Sequence, residues 1–152
     1  MKIFIGADHR GFKLKKKIAQ YLAQQKYDVV DVGAFTDDVS SDYPDISKKV
    51  AGQVLKNKDA KGILVCMTGL GHSMAANKIP GIRAALCYNK KAALLSRKHN
   101  DANVLILGSQ FVKQSEMFGI IKAWLKTRFE GGRHLRRVNQ IKKIEKEVSR
   151  RG

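Results

Sequence analysis

The stretch ILVCMTGLGHSMAANK, residues 63–78, decides the fold that this chain is expected to adopt. Its first four residues are apolar, as in a buried strand. The chain then turns through Thr68, Gly69, Leu70 and Gly71, and small residues at helical spacing follow. Backbone N–H groups at the start of a helix lack partners within the helix and attract negative charge. The stretch therefore predicts an anion-binding turn at the end of a buried strand, with Cys66 beside it.

The rest of the chain repeats this order of strand and helix. Apolar runs predict strands at residues 2–6, 28–32, 61–66, 82–87 and 104–108. Apolar residues at helical spacing predict helices at 12–25, 44–56, from the glycine turn to about 80, at 89–98, from 114 or 115 to a break at 130–132, and from about 134 onward. Residues 99–103 are predicted to form a polar loop.

Alternating strands and helices indicate a parallel sheet with helices on both faces. The expected fold is α/β, a three-layer Rossmann-like sandwich with a five-stranded parallel sheet and a C-terminal helix. The chain has 152 residues, about the length of one domain. We therefore expect a single domain over residues 1–152, with a basic helical tail at 130–152.

Polar residues follow several of the predicted strands. Right-handed crossovers bring all loops that follow parallel strands to one edge of the sheet, where ligands bind in open α/β folds. We therefore expect Asp8, His9, Cys66 and Thr68 to lie near one another. His99 precedes the fifth strand and is expected at the opposite edge, so a catalytic His99 would act across a subunit interface.

The net charge of +17, from 30 basic and 13 acidic residues, suggests a polyanionic partner. Nucleic acid is one candidate, and a generally basic solvated surface is the alternative. The basic residues are spread along predicted helix faces, without interleaved aromatic side chains on which bases could stack. Nucleic acid is therefore not favoured, and a small phosphorylated substrate would gain from the same positive field.

The composition also bears on the compartment. No apolar run reaches the length of a membrane span, and a strand pattern begins directly after Met1. The two cysteines, Cys66 and Cys87, both end predicted buried strands, which suggests free thiols and a reducing cytoplasm.

Cys66 permits two interpretations. A free cysteine is often a small buried hydrophobe, and we assign that role to Cys87. At the ligand edge beside a helix start, however, a thiol is expected to have a lowered pKa and could act as a nucleophile or a base. Gly69 and Gly71 could direct N–H groups at a developing oxyanion or simply permit a tight turn.

Several familiar motifs are missing. The chain has no P-loop, and Gly69 and Gly71 supply only part of a dinucleotide-binding fingerprint. The histidines show no paired metal-ligand spacing, so a metal site is not expected; they are His9, His72, His99 and His134.

Three sets of polar residues each permit two interpretations. Asp8-His9 and His99-Asn100-Asp101 are either ordinary turn formers or proton-handling and sugar-binding groups. Arg133 and Arg137 are spaced i, i+4, so on a helix they would share a face and suit a phosphate dianion. A solvated basic helix is the competing interpretation.

With these residues identified, the sequence resembles the type B ribose-5-phosphate isomerase family, which includes allose- and galactose-6-phosphate isomerases. The matching segments follow one another over nearly the whole chain; they are IGADHRGFKLK, DVG with SDYPD, CMTGLGHSMAANKIPGIRA, SRKHNDANVLILGS and FEGGRHLRRV.

The resemblance implies one sugar-phosphate isomerase domain that interconverts ribose 5-phosphate and ribulose 5-phosphate through an enediolate, without a metal or cofactor, in the pentose phosphate pathway. It implies that Cys66 is the base and that Thr68 assists proton movement between the sugar oxygens. It also implies that His99 opens the sugar ring, with assistance from Asp8. The implied ligand contacts are His9, Met67, Gly69, Leu70, Gly71, Asn100, Arg133 and Arg137. It also implies a homodimer, or a dimer of dimers, with shared active sites.

Three residues depart from the family's usual pattern. His72 and Met74 stand where small aliphatic residues are common, which would change pocket polarity or size. Gln110 stands where an arginine is frequent near the phosphate, so one anion contact is missing.

The alternative functions to a ribose-5-phosphate isomerase are an allose- or galactose-6-phosphate isomerase, a cysteine hydrolase and a basic nucleic-acid-binding protein.

Overall fold

The computed structural model describes residues 1–150, and these form alternating strands and helices. The strands are β1 (Lys2–Ala7), β2 (Asp28–Asp31), β3 (Lys61–Cys66), β4 (Ala84–Leu86) and β5 (Val104–Gly108). The helices are α1 (Phe12–Gln24), α2 (Tyr43–Lys56), α3 (Leu70–Ala76), α4 (Lys90–Asn100), α5 (Gln114–Lys126) and α6 (Arg133–Ser149). A short 3₁₀ turn, His9–Gly11, precedes α1.

All five strands are parallel, in the order β2-β1-β3-β5-β4. β3 lies at the centre, where Val65 is in register with Ala7 of β1 and Cys66 with Gly108 of β5. The strand that carries Cys66 is therefore flanked by the two strands whose following loops begin at Asp8 and Ser109.

Two apolar layers cover the sheet. Alternate residues of β3 point to opposite faces: Ile63 and Val65 pack on one side, Leu64 on the other. The first layer includes Ile18 and Leu22 of α1 with residues of α4 and α5, and its Trp124 is fully buried. The second layer includes α2 and α3. These layers confirm the predicted three-layer α/β sandwich with a five-stranded parallel sheet.

The buried side chain of Lys15 links α1 to the edge strand β2 through an ion pair. Lys15 is fully buried, and its Nζ lies 2.7 Å from Asp31 Oδ1 at the end of β2. It also donates to the carbonyl oxygen of Ala34, and Asp31 Oδ1 accepts from the backbone N–H of Gly33 at 2.9 Å. The buried ammonium is thus paired, as the low polarity of the interior requires.

Several predicted boundaries were wrong. α3 ends at Ala76 and not near residue 80, and α5 ends at Lys126, before the predicted break at 130–132. His99 and Asn100 belong to the last turn of α4 and do not begin a loop. The helix ends at Asn100, and the next residue, Asp101, adopts a left-handed conformation and pairs with the buried Arg97 at 2.8 Å. β4 covers only Ala84–Leu86, shorter than the apolar run suggested.

The C-terminal helix α6 packs against α4 through its buried residues His134 and Val138. Most of its remaining length is exposed, including Ile144 and Val148. Within residues 1–150 there is no helix with the length and apolar character needed to cross a membrane.

Candidate active site

Cys66 ends β3 and faces the turn that follows. Its side chain is only 6% exposed. The backbone N–H of Gly69 donates to Cys66 Sγ, with 2.9 Å between the nitrogen and the sulfur. Gly69 adopts a φ of +85°, a conformation that a side chain would strain, and an added Cβ would lie 2.4 Å from Leu86 Cδ1. Glycine is thus required here for the turn to reach back to the sulfur.

The electrostatic setting of Cys66 differs from the sequence-based expectation. Burial raises the pKa of the Cys66 thiol, and the nearby Asp8 carboxylate raises it further. Backbone N–H groups of Gly69, Thr68 and His72 act in the opposite direction but do not outweigh burial. The expectation of a lowered pKa was therefore wrong, because it counted the N–H groups and not the loss of water.

Thr68 occupies the turn between Cys66 and α3. Its Oγ1 accepts a hydrogen bond from the N–H of Leu70 at 3.3 Å, which leaves the hydroxyl proton available for donation. The N–H groups of Gly69 and Leu70 are thus directed at the Cys66 and Thr68 side chains. A substrate oxygen bound here would share these donors with the sulfur and the hydroxyl.

Asp8 and His9 follow β1, next to β3. Asp8 Oδ1 accepts from the N–H of Gly11 at 2.9 Å and so holds the 3₁₀ turn. The N–H of Ser41 donates to His9 Nδ1 at 3.2 Å. A neutral His9 therefore carries its proton on Nε2, where it can donate to a ligand.

His72 lies behind the turn. It is fully buried, and its Nδ1 lies 2.7 Å from the Ser47 hydroxyl of α2. Burial lowers the pKa of His72 to about 4, so the ring is neutral near pH 7. Met74 is 67% exposed. These two departures from the family's usual pattern therefore differ in kind: His72 adds an uncharged buried group, and Met74 lies at the surface.

A second group of predicted site residues gathers at α4 and α6. His99 and Asn100 close α4, and Arg133 and Arg137 lie one turn apart at the start of α6. The last two therefore share a helix face, as their spacing predicted. The backbone carbonyl of Asn100 accepts from Arg83 Nε at 3.0 Å.

Sequence reasoning missed two members of this second group, Glu130 and His134. The imidazoles of His99 and His134 stack, with 4.1 Å between centroids and 10° between planes. Glu130 Oε2 lies 3.6 Å from His134 Nε2 and 4.0 Å from His99 Nε2. The i, i+4 spacing of Glu130 and His134 was the one signal that could have found the pair.

Side chains of this cluster include donors that metal ions favour, within 4.8 Å of one another. However, imidazole lone pairs lie in the ring plane, and nearly parallel planes do not aim both nitrogens at one point. Lys98 pairs with Glu130 at 3.0 Å and lowers the pKa of that carboxyl. Burial, His99 and Arg133 lower the pKa of His134, which favours a neutral ring. Together with Arg133 and Arg137, this setting favours an anion over a cation.

The sheet separates the two groups. The first, at the carboxyl ends of β1 and β3, contains Asp8, His9, Cys66, Met67, Thr68, Gly69, Leu70 and Gly71. α4 returns the chain to the amino end of β5, so the second group lies at the opposite end; it contains His99, Asn100, Arg133 and Arg137. One chain therefore does not bring the two groups together.

Comparison with known proteins provides independent information. The family model described as Ribose/Galactose Isomerase matches residues 3–141. A relative named probable ribose-5-phosphate isomerase B, from Mycoplasma genitalium, is 49% identical over 147 residues, which cover 96% of this chain and 97% of the relative. Ribose-5-phosphate isomerase B of Escherichia coli K12 is 44% identical over 144 residues, covering 95% of this chain and 96% of the relative.

Solved structures of ribose-5-phosphate isomerase B are also similar to this chain. A Clostridium thermocellum ribose-5-phosphate isomerase B matches with a TM-score of 0.94 and 50% identity, covering 97% of this chain and 99% of that one. A Mycoplasma genitalium ribose-5-phosphate isomerase B with bound ribulose-5-phosphate matches with a TM-score of 0.92 and 49% identity, covering 96% of this chain and 97% of that one.

Proposed function

Because the chain belongs to the ribose/galactose isomerase family, we propose that it interconverts ribose 5-phosphate and ribulose 5-phosphate. The observation that carries this proposal is the similarity over nearly the full chain to a relative whose structure holds ribulose-5-phosphate. The pentose phosphate pathway and the cytoplasm are the proposed setting. The whole chain, residues 1–152, is proposed to act as one isomerase domain.

In the proposed reaction, the Cys66 thiolate removes a proton from the carbon beside the carbonyl and returns it to the neighbouring carbon. The proton that leaves one carbon is added to the other, so the sugar is isomerised without a net oxidant or reductant. An enediolate forms in between, and donors at the turn lower its energy. Thr68 moves a proton between the two sugar oxygens.

The turn that follows Cys66 is suited to the enediolate. The N–H of Gly69 lies 2.9 Å from the sulfur, and the N–H groups of Thr68 and His72 also favour the thiolate. Met67, Gly69, Leu70 and Gly71 are proposed to contact the substrate. The raised pKa of Cys66 means that the thiolate is a minor species near pH 7 and a strong base once formed. This combination suits the abstraction of a weakly acidic C–H proton.

A homodimer would complete this site. The Cys66 group of one subunit lacks the residues proposed to open the sugar ring and hold the phosphate, because these lie at the opposite end of the sheet. In a dimer, the partner's His99 opens the ring with Asp8 of the first subunit, and the partner's Asn100 binds the sugar. The partner's Arg133 and Arg137 join His9 on the phosphate.

An isomerase assay on a panel of sugar phosphates tests the proposed function. Ribose 5-phosphate, allose 6-phosphate and galactose 6-phosphate are each supplied with a metal chelator, and the ketose product is measured. We expect the highest kcat/KM with ribose 5-phosphate. A preference for a six-carbon substrate would replace the proposed substrate, and a lack of isomerisation of any of them would overturn the proposed function.

A further inference from the structure

Within the described part of the chain, Arg10 is a cation without a carboxylate partner at the edge of the sheet that carries Cys66. It lies in the 3₁₀ turn after β1 and is exposed. Its Nη1 lies 3.6 Å from the sulfur of Met67, the residue after Cys66. Among residues 1–150, no carboxylate oxygen lies within 4.0 Å of its guanidinium. Its N–H groups that do not point at Met67 are thus available to a ligand beside the proposed base.

A basic groove surrounds this arginine. The groove has a volume of about 230 Å³ and runs between the start of α1 and the loop after β5. Arg10, Lys13 and Lys17 supply positive charge on one side, and Ser109 and Gln114 line the other. None of the described residues that line it is acidic. Its composition therefore suits an anion with several oxygen atoms.

The two lysines of the groove already have polar partners. Lys13 Nζ lies 3.2 Å from Asp37 Oδ2, and Lys17 Nζ donates to Gln114 Oε1 at 3.3 Å. Among residues 1–150, the acceptor of the Arg10 guanidinium is the weak thioether of Met67 alone. Of the three cations, Arg10 is thus the one that gains most from binding an anion.

The loop after β5 lines the groove and also contacts the backbone of Cys66 and Met67. The N–H of Ser109 donates to the Cys66 carbonyl at 2.9 Å, and the N–H of Gln110 donates to the Met67 carbonyl at 2.9 Å. A side chain at Gly108 would collide with the backbone of Thr68, so the two loops can approach this closely only with glycine there. Gln110 and Arg10 therefore both contact Met67, and Gln110 itself brings no charge.

We propose that Arg10 binds the phosphate of the sugar substrate from the same subunit as Cys66. This assignment rests on the proposed function and adds a contact to it. A planar guanidinium donates two parallel hydrogen bonds to a phosphate, which fixes its orientation as well as its position. Arg10 holds the substrate from the Cys66 side while Arg133 and Arg137 hold it from the other subunit.

Binding of inorganic phosphate by isothermal titration calorimetry at low ionic strength tests this assignment without depending on catalysis. We expect Arg10→Ala to raise the Kd roughly tenfold or more, the loss expected for a charge-assisted hydrogen-bonded pair. The matched control is Lys16→Ala, which removes an exposed cation of α1 that does not line the groove and is expected to change the Kd less than about twofold. Circular dichroism and thermal unfolding check that both variants are folded.

Steady-state kinetics with ribose 5-phosphate provide the second readout. A binding contact that is equal in the ground and transition states raises KM and leaves kcat nearly unchanged. We expect this pattern for Arg10→Ala, and partial recovery of KM in Arg10→Ala/Gln110→Arg, because the new arginine extends from the loop that also contacts Met67. An unchanged phosphate Kd in Arg10→Ala, an equal loss in Lys16→Ala, or no recovery in the double variant would overturn the assignment.

The two proposals fail separately. If the wild-type protein isomerises ribose 5-phosphate and folded Arg10→Ala matches it in KM and phosphate Kd, the Arg10 assignment is wrong and the proposed function stands. If the wild-type protein isomerises no sugar phosphate but loses phosphate binding in Arg10→Ala, the anion site stands and the proposed function is wrong.

Discussion

The sulfur of Cys66 lies 2.9 Å from the backbone nitrogen of Gly69, inside a turn that excludes most water. The N–H stabilises a thiolate, whereas burial destabilises it, and burial has the larger effect on the pKa. Near pH 7 the Cys66 side chain is therefore mostly a thiol. The minor population of thiolate is a strong base.

The pH dependence of Cys66 alkylation checks this balance. In a Cys87→Ala background, the rate of reaction with iodoacetamide should rise with pH and reach half its maximum above pH 9.0, the ordinary value for a thiol. The increase follows the thiolate fraction, and kcat/KM of the isomerase should rise over the same range. A half-maximal rate below pH 9.0 would contradict the raised pKa.

His72 should make the protein less stable in acid. Its pKa is lowered from 6.5 to about 4, so between these values the unfolded chain binds a proton that the folded chain does not. The free energy of unfolding should fall as pH decreases through this window, by about 3 kcal/mol from this group. Urea unfolding from pH 7.5 to 4 should show a smaller decrease for His72→Gln, which cannot titrate. Identical pH dependence in both proteins would argue against a neutral buried His72.

Arg133 and Arg137 should bind the substrate phosphate. Replacing either with Ala is expected to raise KM for ribose 5-phosphate roughly tenfold or more, because a charge-assisted contact is lost. Lys142→Ala is the control: it removes a positive charge from the same helix, nine residues after Arg133 and on the opposite side. Equal increases in KM for Lys142→Ala would indicate a general effect of charge and not a specific phosphate contact.

The shared-site dimer predicts complementation between inactive variants. When Cys66→Ala subunits are mixed with His99→Ala subunits, each heterodimer regains one site with both residues intact. Half of randomly mixed dimers are heterodimers, so about a quarter of wild-type activity should return. Mixing Cys66→Ala with the double variant Cys66→Ala/His99→Ala should restore none. If confirmed subunit exchange leaves the first mixture inactive, the two residues do not share a site.

The fold was predictable because its signals are local. The strand boundaries of β3 and β5 agree with the apolar runs, and Asn89 caps α4 through a contact three residues along the chain, its side chain accepting from Ala92 N–H at 2.8 Å. The end of α4 was not predictable to the residue. It depends on the buried Arg97 and its ion pair with Asp101, which form only after folding.

The candidate site was predictable in outline but not in its electrostatics. Topology alone separates Cys66 from His99, and the structure places them at opposite ends of the sheet. The pKa of Cys66 depends on how much water the folded turn excludes, and no local pattern reports that quantity. Glu130 reaches His99 because its N–H bonds to the Lys98 carbonyl at 3.1 Å, a contact between distant segments.

The central claim is that Cys66 is the base of a sugar-phosphate isomerase, and substitution of the two cysteines tests it most directly. Cys87 is the matched control, since it is also buried at the end of a strand, and burial raises its pKa to about 11. Ribose 5-phosphate isomerisation should fall by a factor on the order of 10²–10⁴ in folded Cys66→Ala, the range for loss of a general base. It should remain within about threefold of wild type in Cys87→Ala. Near wild-type activity in Cys66→Ala would contradict the account.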